Sequence, residues 1–200
     1  MTALPPTADQ PIDLDQPLPH RKTLREWLVP LSGRSTARAF VLLAFDYALF
    51  FALIAGTIAL ESVWLKVLCA LAAVFVIGRL FIIGHDACHQ SLTPHRELNK
   101  VLGRIAFLPS LTPYSLWDTG HNVVHHGYTN LKGVDFVWTP LTAAEFEALS
   151  PMQKLLERAY RSGWAPGLYY MIEIWWKREF FPNKTHMPTR RPIFFKDSLL

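Results

Sequence analysis

"VWLKVLCALAAVFVIGRLFIIGHDACH", residues 63–89, joins a long apolar run directly to two histidines. Its first 21 residues contain only Lys66 and Arg79 as charged residues, and a helix of about 20 apolar residues is long enough to cross a bilayer. If the helix continues, His85 and His89 lie on one face just beyond the membrane surface, because residues four apart share one side of an α-helix. This stretch predicts a membrane protein with a polar site at the end of a span.

A second apolar run comes directly before the first. Residues 39–60, "AFVLLAFDYALFFALIAGTIAL", contain one charged residue, Asp46. Only Glu61 and Ser62 separate the two runs, so the helices must form an antiparallel hairpin. The alternative is a pair of buried helices in a soluble protein, but the chain is 50% hydrophobic and both runs reach spanning length. We therefore predict an all-α membrane protein with a transmembrane helical hairpin at residues 37–83.

Basic residues flank both ends of this hairpin, whereas its tip has the acidic Glu61. They are Arg21, Lys22, Arg25, Arg34 and Arg38 before the hairpin, and Arg96, Lys100 and Arg104 after it. Loops rich in Lys and Arg stay in the cytoplasm, so both ends should be cytoplasmic. We expect an integral membrane protein, most simply of the bacterial inner membrane, with its histidines on the cytoplasmic side.

The rest of the chain divides into three regions. Residues 1–36 form a polar N-terminal tail, Pro-rich and expected to be disordered at first, with a short interfacial helix at 22–29. Residues 84–140 contain the histidines, and an apolar stretch at 105–117 is too short to span, which predicts a re-entrant or interfacial segment. Residues 141–200 are predicted to form a cytosolic cap with capping-box and interfacial helices.

Five of the eight histidines fall in two motifs with matched spacing. The second motif is "HNVVHH", residues 121–126. On an α-helix His126 would point about 100° away from His125, so one helix could serve two neighbouring metal ions. All-imidazole sites suit Fe, Zn, Cu or Ni and not Mg or Ca. The candidate ligands are His85, His89, His121, His125 and His126.

Other candidate ligands fit less well. Cys88 lies inside the first motif, but a thiolate would suit zinc better than an oxygen-activating iron site. Cys69 lies within an apolar run and is expected to be a small buried hydrophobe. His20 and His186 are expected to be ordinary surface histidines, and His95 lies off the spacing of the motif.

"GHDACHQS", "HNVVHHGYTN" and "VDFVWTP" together resemble the membrane fatty acid desaturases, particularly the acyl-lipid omega-6 (delta-12) type. The resemblance runs from about residue 37 to residue 200 and is specific between 84 and 140. It implies a di-iron centre that uses O2 and two electrons to remove two hydrogens from an acyl chain. It makes the five histidines metal ligands and lets Asp86 orient an imidazole.

The resemblance also implies partners and a further segment. The expected partners are an acyl lipid, the bilayer and a ferredoxin-type or cytochrome b5-type electron donor, with no nucleic acid. The family has a third histidine box, H-x-x-H-H, and two more spans before it. Because only His186 follows His126 here, five of eight expected ligands are present. We expect the amino-terminal half of a longer protein, inactive alone.

Two other functions remain open from the sequence. One is a hydroxylase or ketolase of the same superfamily that acts on an alkane or carotenoid. The other is a non-catalytic metal-binding membrane protein, such as a zinc or haem carrier. The first motif lacks the Glu of the H-E-x-x-H zinc proteases, and the second has one histidine too many for a simple axial haem pair.

Overall fold

The computed structural model describes residues 19–137, 139–163, 165, 167–182, 184 and 191–199, and this part of the chain contains helices and no strand. The α-helices are α1 (Arg21–Leu28), α2 (Thr36–Ala59), α3 (Val63–Cys88), α4 (Arg96–Phe107), α5 (Tyr114–Asp118), α6 (Ala143–Glu147), α7 (Pro151–Tyr160) and α8 (Pro192–Ser198). Two π-helices span Thr119–His125 and Tyr170–Phe180, and 3₁₀ turns span Val29–Leu31 and Leu108–Ser110. The all-α prediction is confirmed for these residues, whereas the first 18 residues of the predicted tail lie outside them.

Helices α2 and α3 are long and apolar enough to cross a membrane. Only 17% of the most apolar window of α2 and 28% of that of α3 are buried, whereas the core helix of a soluble protein is mostly buried. Gly56 lies against Cys69, and Asp46 contacts Arg79, so the two helices run in opposite directions. Both helices therefore present exposed apolar outer faces, as membrane-spanning helices do.

Asp46, the one acid in the first apolar run, forms an ion pair across the two helices. The Nε of Arg79 donates to Oδ1 of Asp46 at 2.8 Å. The Asp46 side chain is 2% exposed and that of Arg79 is 52% exposed. Arg79 therefore has a buried carboxylate partner in α2. Because the partners are 33 residues apart, the pair fixes the register of α2 on α3.

Helix α4, which the sequence analysis did not predict, packs against the end of α3. Its buried residues Asn99, Leu102, Gly103, Ala106 and Phe107 recur at helical spacing. Two glycines permit the close approach: a Cβ on Gly84 would lie 2.4 Å from the ring of Phe107, and one on Gly103 would lie 2.4 Å from the ring of Tyr114. The Tyr47 hydroxyl also donates to the Ile105 carbonyl, which ties α4 to α2.

The apolar stretch between the two histidine motifs folds as interrupted helix. A 3₁₀ turn with Pro109 follows α4, and Leu111 adopts a positive φ of 52° before α5 begins. Trp117 of α5 packs with Phe81 of α3 and Phe107 of α4, with ring centroids 5.7 and 5.3 Å apart. The chain thus turns back onto α3 close to its histidines.

Among the C-terminal elements, α6 and α7 begin with capping boxes, and the second π-helix contacts the segment before α5. Both predicted capping boxes are present, at Thr142 with Glu145 in α6 and at Ser150 with Gln153 in α7. The second π-helix, Tyr170–Phe180, lies in the region where the sequence predicted interfacial helices. Its Trp175 indole donates to the carbonyls of Ser110 and Leu111 at 3.2 Å.

Helix α8 is held by a buried ion pair. Asp197 accepts from Nε and Nη2 of Arg104 at 2.9 and 3.1 Å, and from the Ser115 backbone N–H at 3.0 Å. A bidentate arginine–carboxylate pair is both strong and specific in orientation. The ion pair fixes α8 against α4 and α5. The candidate site described below depends on the packing of α4 and α5.

Candidate metal centre

The first histidine box, His85–His89, lies at the end of α3. The helix continues past the apolar run to Cys88, and His89 is its C-cap, as the sequence predicted. The Nε2 atoms of His85 and His89 are 3.2 Å apart. The spacing of four residues therefore brings the two imidazoles together at the helix end.

The second histidine box, His121–His126, lies in the first π-helix. The His126 N–H donates to the His121 carbonyl at 2.9 Å, an i to i+5 bond that defines this wider helix. The sequence analysis assumed α-helical geometry, in which His126 points away from the first site. In the wider turn the Nε2 of His126 lies 3.1 Å from the Nε2 of His121. Short π-segments occur often at functional sites.

The two boxes meet through His89. Its Nε2 lies 3.2 Å from the Nε2 of His85 and 3.2 Å from the Nε2 of His121. The ligand atoms of His85, His89 and His121 all lie within 4.8 Å of one another. Nitrogens that share one ion at about 2.1 Å are separated by roughly 3.0–3.4 Å for angles between 90° and tetrahedral. The donor set and its spacing therefore fit one transition-metal ion.

His125 and His126 lie beside this triad. Nε2 of His126 contacts Nε2 of His121, a member of the triad. Both carboxylate oxygens of Asp135 lie 3.0–3.1 Å from Nδ1 of His125. The ring centroid of His125 is 5.4 Å from that of His121 and 5.2 Å from that of His126. All five candidate histidines thus form one cluster, with four Nε2 atoms linked at 3.1–3.2 Å.

The electrostatic surroundings keep the central imidazole neutral. Burial and the neighbouring histidines, His85 first, lower the pKa of His121 to about 3. The pKa of His89 is also lowered, chiefly by burial and then by His85 and His126. A neutral imidazole keeps a lone pair for a metal ion, so His89 and His121 are in their ligating form at neutral pH.

Neighbouring side chains hold the rings in place. Asp86 accepts from Nδ1 of His85 at 3.1 Å. The indole of Trp117 stacks on His121, with centroids 4.2 Å apart and planes 22° from parallel. Asn122 donates to Asp118 at 2.6 Å and to the Cys88 carbonyl at 3.1 Å, which links the second box to the end of α3.

Asp135 was missed as a site residue from the sequence. It is fully buried and accepts from the backbone N–H groups of Asn130 and Val137 as well as from His125. Burial raises the pKa of this carboxyl, but the hydrogen bonds outweigh burial and hold the pKa below its usual value. The available signal was an acid flanked by the apolar Val134 and Phe136 ten residues after a candidate ligand.

The sequence profile of the fatty acid desaturase family matches residues 61–199, more than half of the chain. The chain belongs to the fatty acid desaturase family. It is 32% identical to an omega-6 fatty acid desaturase, chloroplastic, of Glycine max, over 58% of this chain and 26% of the relative. It is 33% identical to an sn-1 oleoyl-lipid 12-desaturase of Picosynechococcus sp., over 58% of this chain and 33% of the relative.

A fatty acid desaturase of Bacillus subtilis is 38% identical over 43% of this chain and 25% of the relative. The aligned part of the chain thus spans about a quarter to a third of the length of these curated relatives. No solved structure matches this desaturase-family chain.

In this desaturase-family chain His20, His95 and Cys88 stand apart from the cluster. His20 caps α1 by accepting from the Lys22 N–H, and His95 is the N-cap residue of α4. Cys88 is buried against Phe107, Tyr114 and Trp117. His186 lies outside the described residues.

A mostly apolar cleft of about 170 Å³ opens beside His85 and His121 of this desaturase-family chain. Its apolar and aromatic wall consists of Phe81, Leu116, Trp117, Phe136, Val137, Tyr170 and Ile174. Gly120, Arg178 and Glu179 complete the lining. Glu179 is 4% exposed, and burial raises the pKa of its carboxyl to about 8, so it is largely neutral at pH 7. The cleft is therefore shaped for an apolar group next to the imidazoles.

Proposed function

We propose that this chain provides two histidine boxes of a di-iron, O2-dependent desaturase that acts on the acyl chains of membrane lipids. The observation that carries the proposal is the meeting of the boxes: the Nε2 atoms of His89 and His121, 32 residues apart, lie at 3.2 Å. Family membership supports desaturation, and the names of the relatives support an omega-6 or oleoyl-lipid substrate.

The proposed ligands are the five clustered histidines. His85, His89 and His121 would hold one ion, and His125 and His126 lie where they can reach a neighbouring ion. When bound, the two iron ions supply the O2 activation that oxidises the acyl chain. An all-imidazole site excludes Mg and Ca as the natural ions and suits iron.

In this proposal the residues of the chain bind the acyl segment and orient the histidine ligands. Desaturation converts CH2–CH2, O2, two electrons and two protons into CH=CH and two water molecules. The wall of the cleft excludes water and can align an acyl segment beside His85 and His121. Asp86 holds the proton of His85 on Nδ1, which leaves Nε2 to ligate.

The proposed topology places α2 and α3 across the bilayer as a hairpin, with the boxes on the cytoplasmic side of a bacterial inner membrane. Its support is the exposed apolar surface of both helices and the basic residues at both hairpin ends. The four regions at 1–36, 37–83, 84–140 and 141–200 then serve as tail, hairpin, metal-binding region and cytosolic cap. A ferredoxin-type or cytochrome b5-type protein would supply electrons from the cytoplasm.

Further histidines are part of this proposal. The resemblance requires eight ligands, and the cluster contains five. Loss of groups that merely orient ligands weakens metal sites about 10–100-fold, so loss of ligands should weaken them further. We expect that the 200 residues alone form no new double bonds and that a chain extended through a third H-x-x-H-H does.

Acyl analysis of cells tests the proposal. The extended chain, its His85→Ala variant and its His20→Ala variant are expressed in a host that makes oleoyl lipids, and the acyl chains are separated by gas chromatography. We expect a new diunsaturated acyl chain with the unchanged protein and with His20→Ala, and none with His85→Ala. A hydroxylated product, or unchanged lipids with metal-loaded protein, would contradict desaturation in favour of a hydroxylase or a non-catalytic metal protein.

A further inference from the structure

We infer that Asp135 is the positioning residue of His125: it fixes the imidazole by its Nδ1 and so presents Nε2 to a metal ion. The inference rests on the proposed metal centre and adds a residue to it. Nothing in the spacing of the histidine boxes indicates this pairing, because Asp135 lies ten residues beyond His125 in a loop.

The contact between His125 and Asp135 is short, involves both carboxylate oxygens and is largely shielded from solvent. Nδ1 of His125 lies 3.1 Å from Oδ1 and 3.0 Å from Oδ2 of Asp135. The His125 side chain is 20% exposed and that of Asp135 is 0% exposed. An ionised carboxylate only accepts hydrogen bonds, so the proton of a neutral His125 must be on Nδ1. The lone pair is then on Nε2, which points away from the carboxylate.

The carboxylate is itself held by the loop that follows the second box. The Asn130 N–H donates to Oδ2 at 2.9 Å, and the Val137 N–H donates to Oδ1 at 3.0 Å. Asn130 and Gly133 adopt positive φ values of 64° and 86°, which fold the loop back on itself. A backbone hydrogen bond from Asp135 N–H to the Leu131 carbonyl closes the turn at 2.9 Å. Asp135 is therefore an acceptor in a fixed position and not a mobile surface acid.

Asp135 should hold the ring of His125 more firmly than Asp86 holds the ring of His85. Asp86 approaches His85 with one oxygen at 3.1 Å, its side chain is 50% exposed, and it follows His85 directly in the chain. Water can replace such a partner. Asp135 has no exposed surface, so water has no access to replace it. Carboxylate or carbonyl partners of this kind fix the tautomer and ring orientation of metal-binding histidines.

The substitution Asp135→Asn tests the geometry because it keeps the shape and exchanges one acceptor for a donor. Both carboxylate oxygens accept from a backbone N–H and from His125. An amide can satisfy only one of these oxygen positions. If its oxygen keeps one backbone N–H, its NH2 opposes the other backbone N–H and also lies beside Nδ1. The acceptor that holds the His125 proton on Nδ1 is then weakened, and the proton can move to Nε2, where it blocks metal binding.

The experiment titrates Co²⁺ into the purified 200-residue chain in detergent and follows the visible d–d absorption. The variants are Asp135→Asn, His125→Ala, the double variant, His85→Ala as a test of the centre itself, and Glu147→Gln as a control for loss of an exposed, paired carboxylate. Circular dichroism melting of the metal-free proteins measures the fold separately. We expect Asp135→Asn to weaken Co²⁺ binding about 10–100-fold, His125→Ala to weaken it at least as much, and both to change the spectrum in the same direction.

The double variant decides the matter even if Asp135→Asn also lowers the melting temperature. If Asp135 acts through His125, the double variant binds Co²⁺ no more weakly than His125→Ala alone. Additive losses, or wild-type affinity and spectrum in Asp135→Asn, would overturn the inference. Wild-type affinity and spectrum in Asp135→Asn, together with loss of Co²⁺ binding in His85→Ala, would overturn this inference but support the proposed metal centre. Binding that is insensitive to His85→Ala would overturn the centre and this inference together.

Discussion

The Nε2 atoms of His89 and His121 lie 3.2 Å apart, although one residue caps α3 and the other belongs to a π-helix 32 residues later. This contact depends on how α4 and α5 return the chain to the end of α3. The glycine contacts of α4, the stacked Trp117 and the ion pair at Asp197 all support that return. Changes in this packing should therefore reach the metal centre.

Gly84→Ala should destabilise the protein because the new Cβ would lie 2.4 Å from the ring of Phe107. Overpacking of this kind costs about 1–3 kcal/mol. Gly78→Ala, in the same helix, is the matched control, since nothing lies within 4 Å of its new Cβ and alanine favours a helix by about 0.5–1 kcal/mol. Thermal unfolding in detergent should show a lower melting temperature for Gly84→Ala only. Equal melting of the two variants would contradict the packing described for α4.

Arg79→Ala should lower the free energy of unfolding more than Asp46→Ala does. The first change leaves a carboxylate buried without its cation, which costs about 3–5 kcal/mol, whereas the second leaves a half-exposed guanidinium that solvent can reach. The double variant should recover part of the loss of Arg79→Ala. Chemical or thermal unfolding of the three variants measures the order. A larger loss in Asp46→Ala would show that the pair does not stabilise the helix packing in this way.

Glu179→Gln should flatten the dependence of stability on pH. The folded-state pKa of Glu179 is raised by burial to about 8, above its ordinary value of 4.5. Below pH 4.5 both states hold the proton. Between 4.5 and 8 only the unfolded state releases it, so stability falls as pH rises through this window. Between pH 4.5 and pH 8 the variant should gain stability relative to wild type by on the order of 4 kcal/mol.

Melting temperatures between pH 4.5 and pH 8.5 measure this effect. Glu147→Gln is the control, because its carboxylate is exposed and its pKa is lowered by the hydrogen bond and charge of Lys154. Parallel pH profiles for wild type and Glu179→Gln would mean that Glu179 is solvated in the folded protein.

A cysteine at Ser91 should be labelled by a membrane-impermeant thiol reagent only after cells are opened. Ser91 is exposed and follows the first histidine box, which the proposed topology places in the cytoplasm. The background is Cys88→Ser. A cysteine at Ser62, exposed between α2 and α3, is the opposite control and should react in intact cells. Labelling with the two positions exchanged would invert the topology.

The features that the sequence predicted well depend on neighbouring residues. Hydropathy located α2 and α3, because the apolar runs are continuous, and the spacing of His85 and His89 indicated that α3 continues into the first box. The capping boxes at Thr142 and Ser150 were found because a cap and its partner are three residues apart.

The features that the sequence did not predict depend on contacts between distant residues. The partner of Asp46 is 33 residues away, and Asp135 reaches His125 through a loop with two positive φ angles. The π-helix changed the direction of His126 because one backbone bond moved from i+4 to i+5, which histidine spacing alone does not reveal.

The iron content of purified protein tests the central claim most directly. Wild type, His89→Ala, His121→Ala, His20→Ala and His95→Ala are loaded anaerobically with Fe²⁺, desalted and analysed for iron per chain. His89 and His121 supply nitrogens at the meeting point of the boxes, whereas His20 and His95 cap helices outside it. We predict at least a tenfold loss of bound iron in the first two variants and wild-type content in the last two. Equal iron in all five proteins would contradict the histidine cluster as a metal centre.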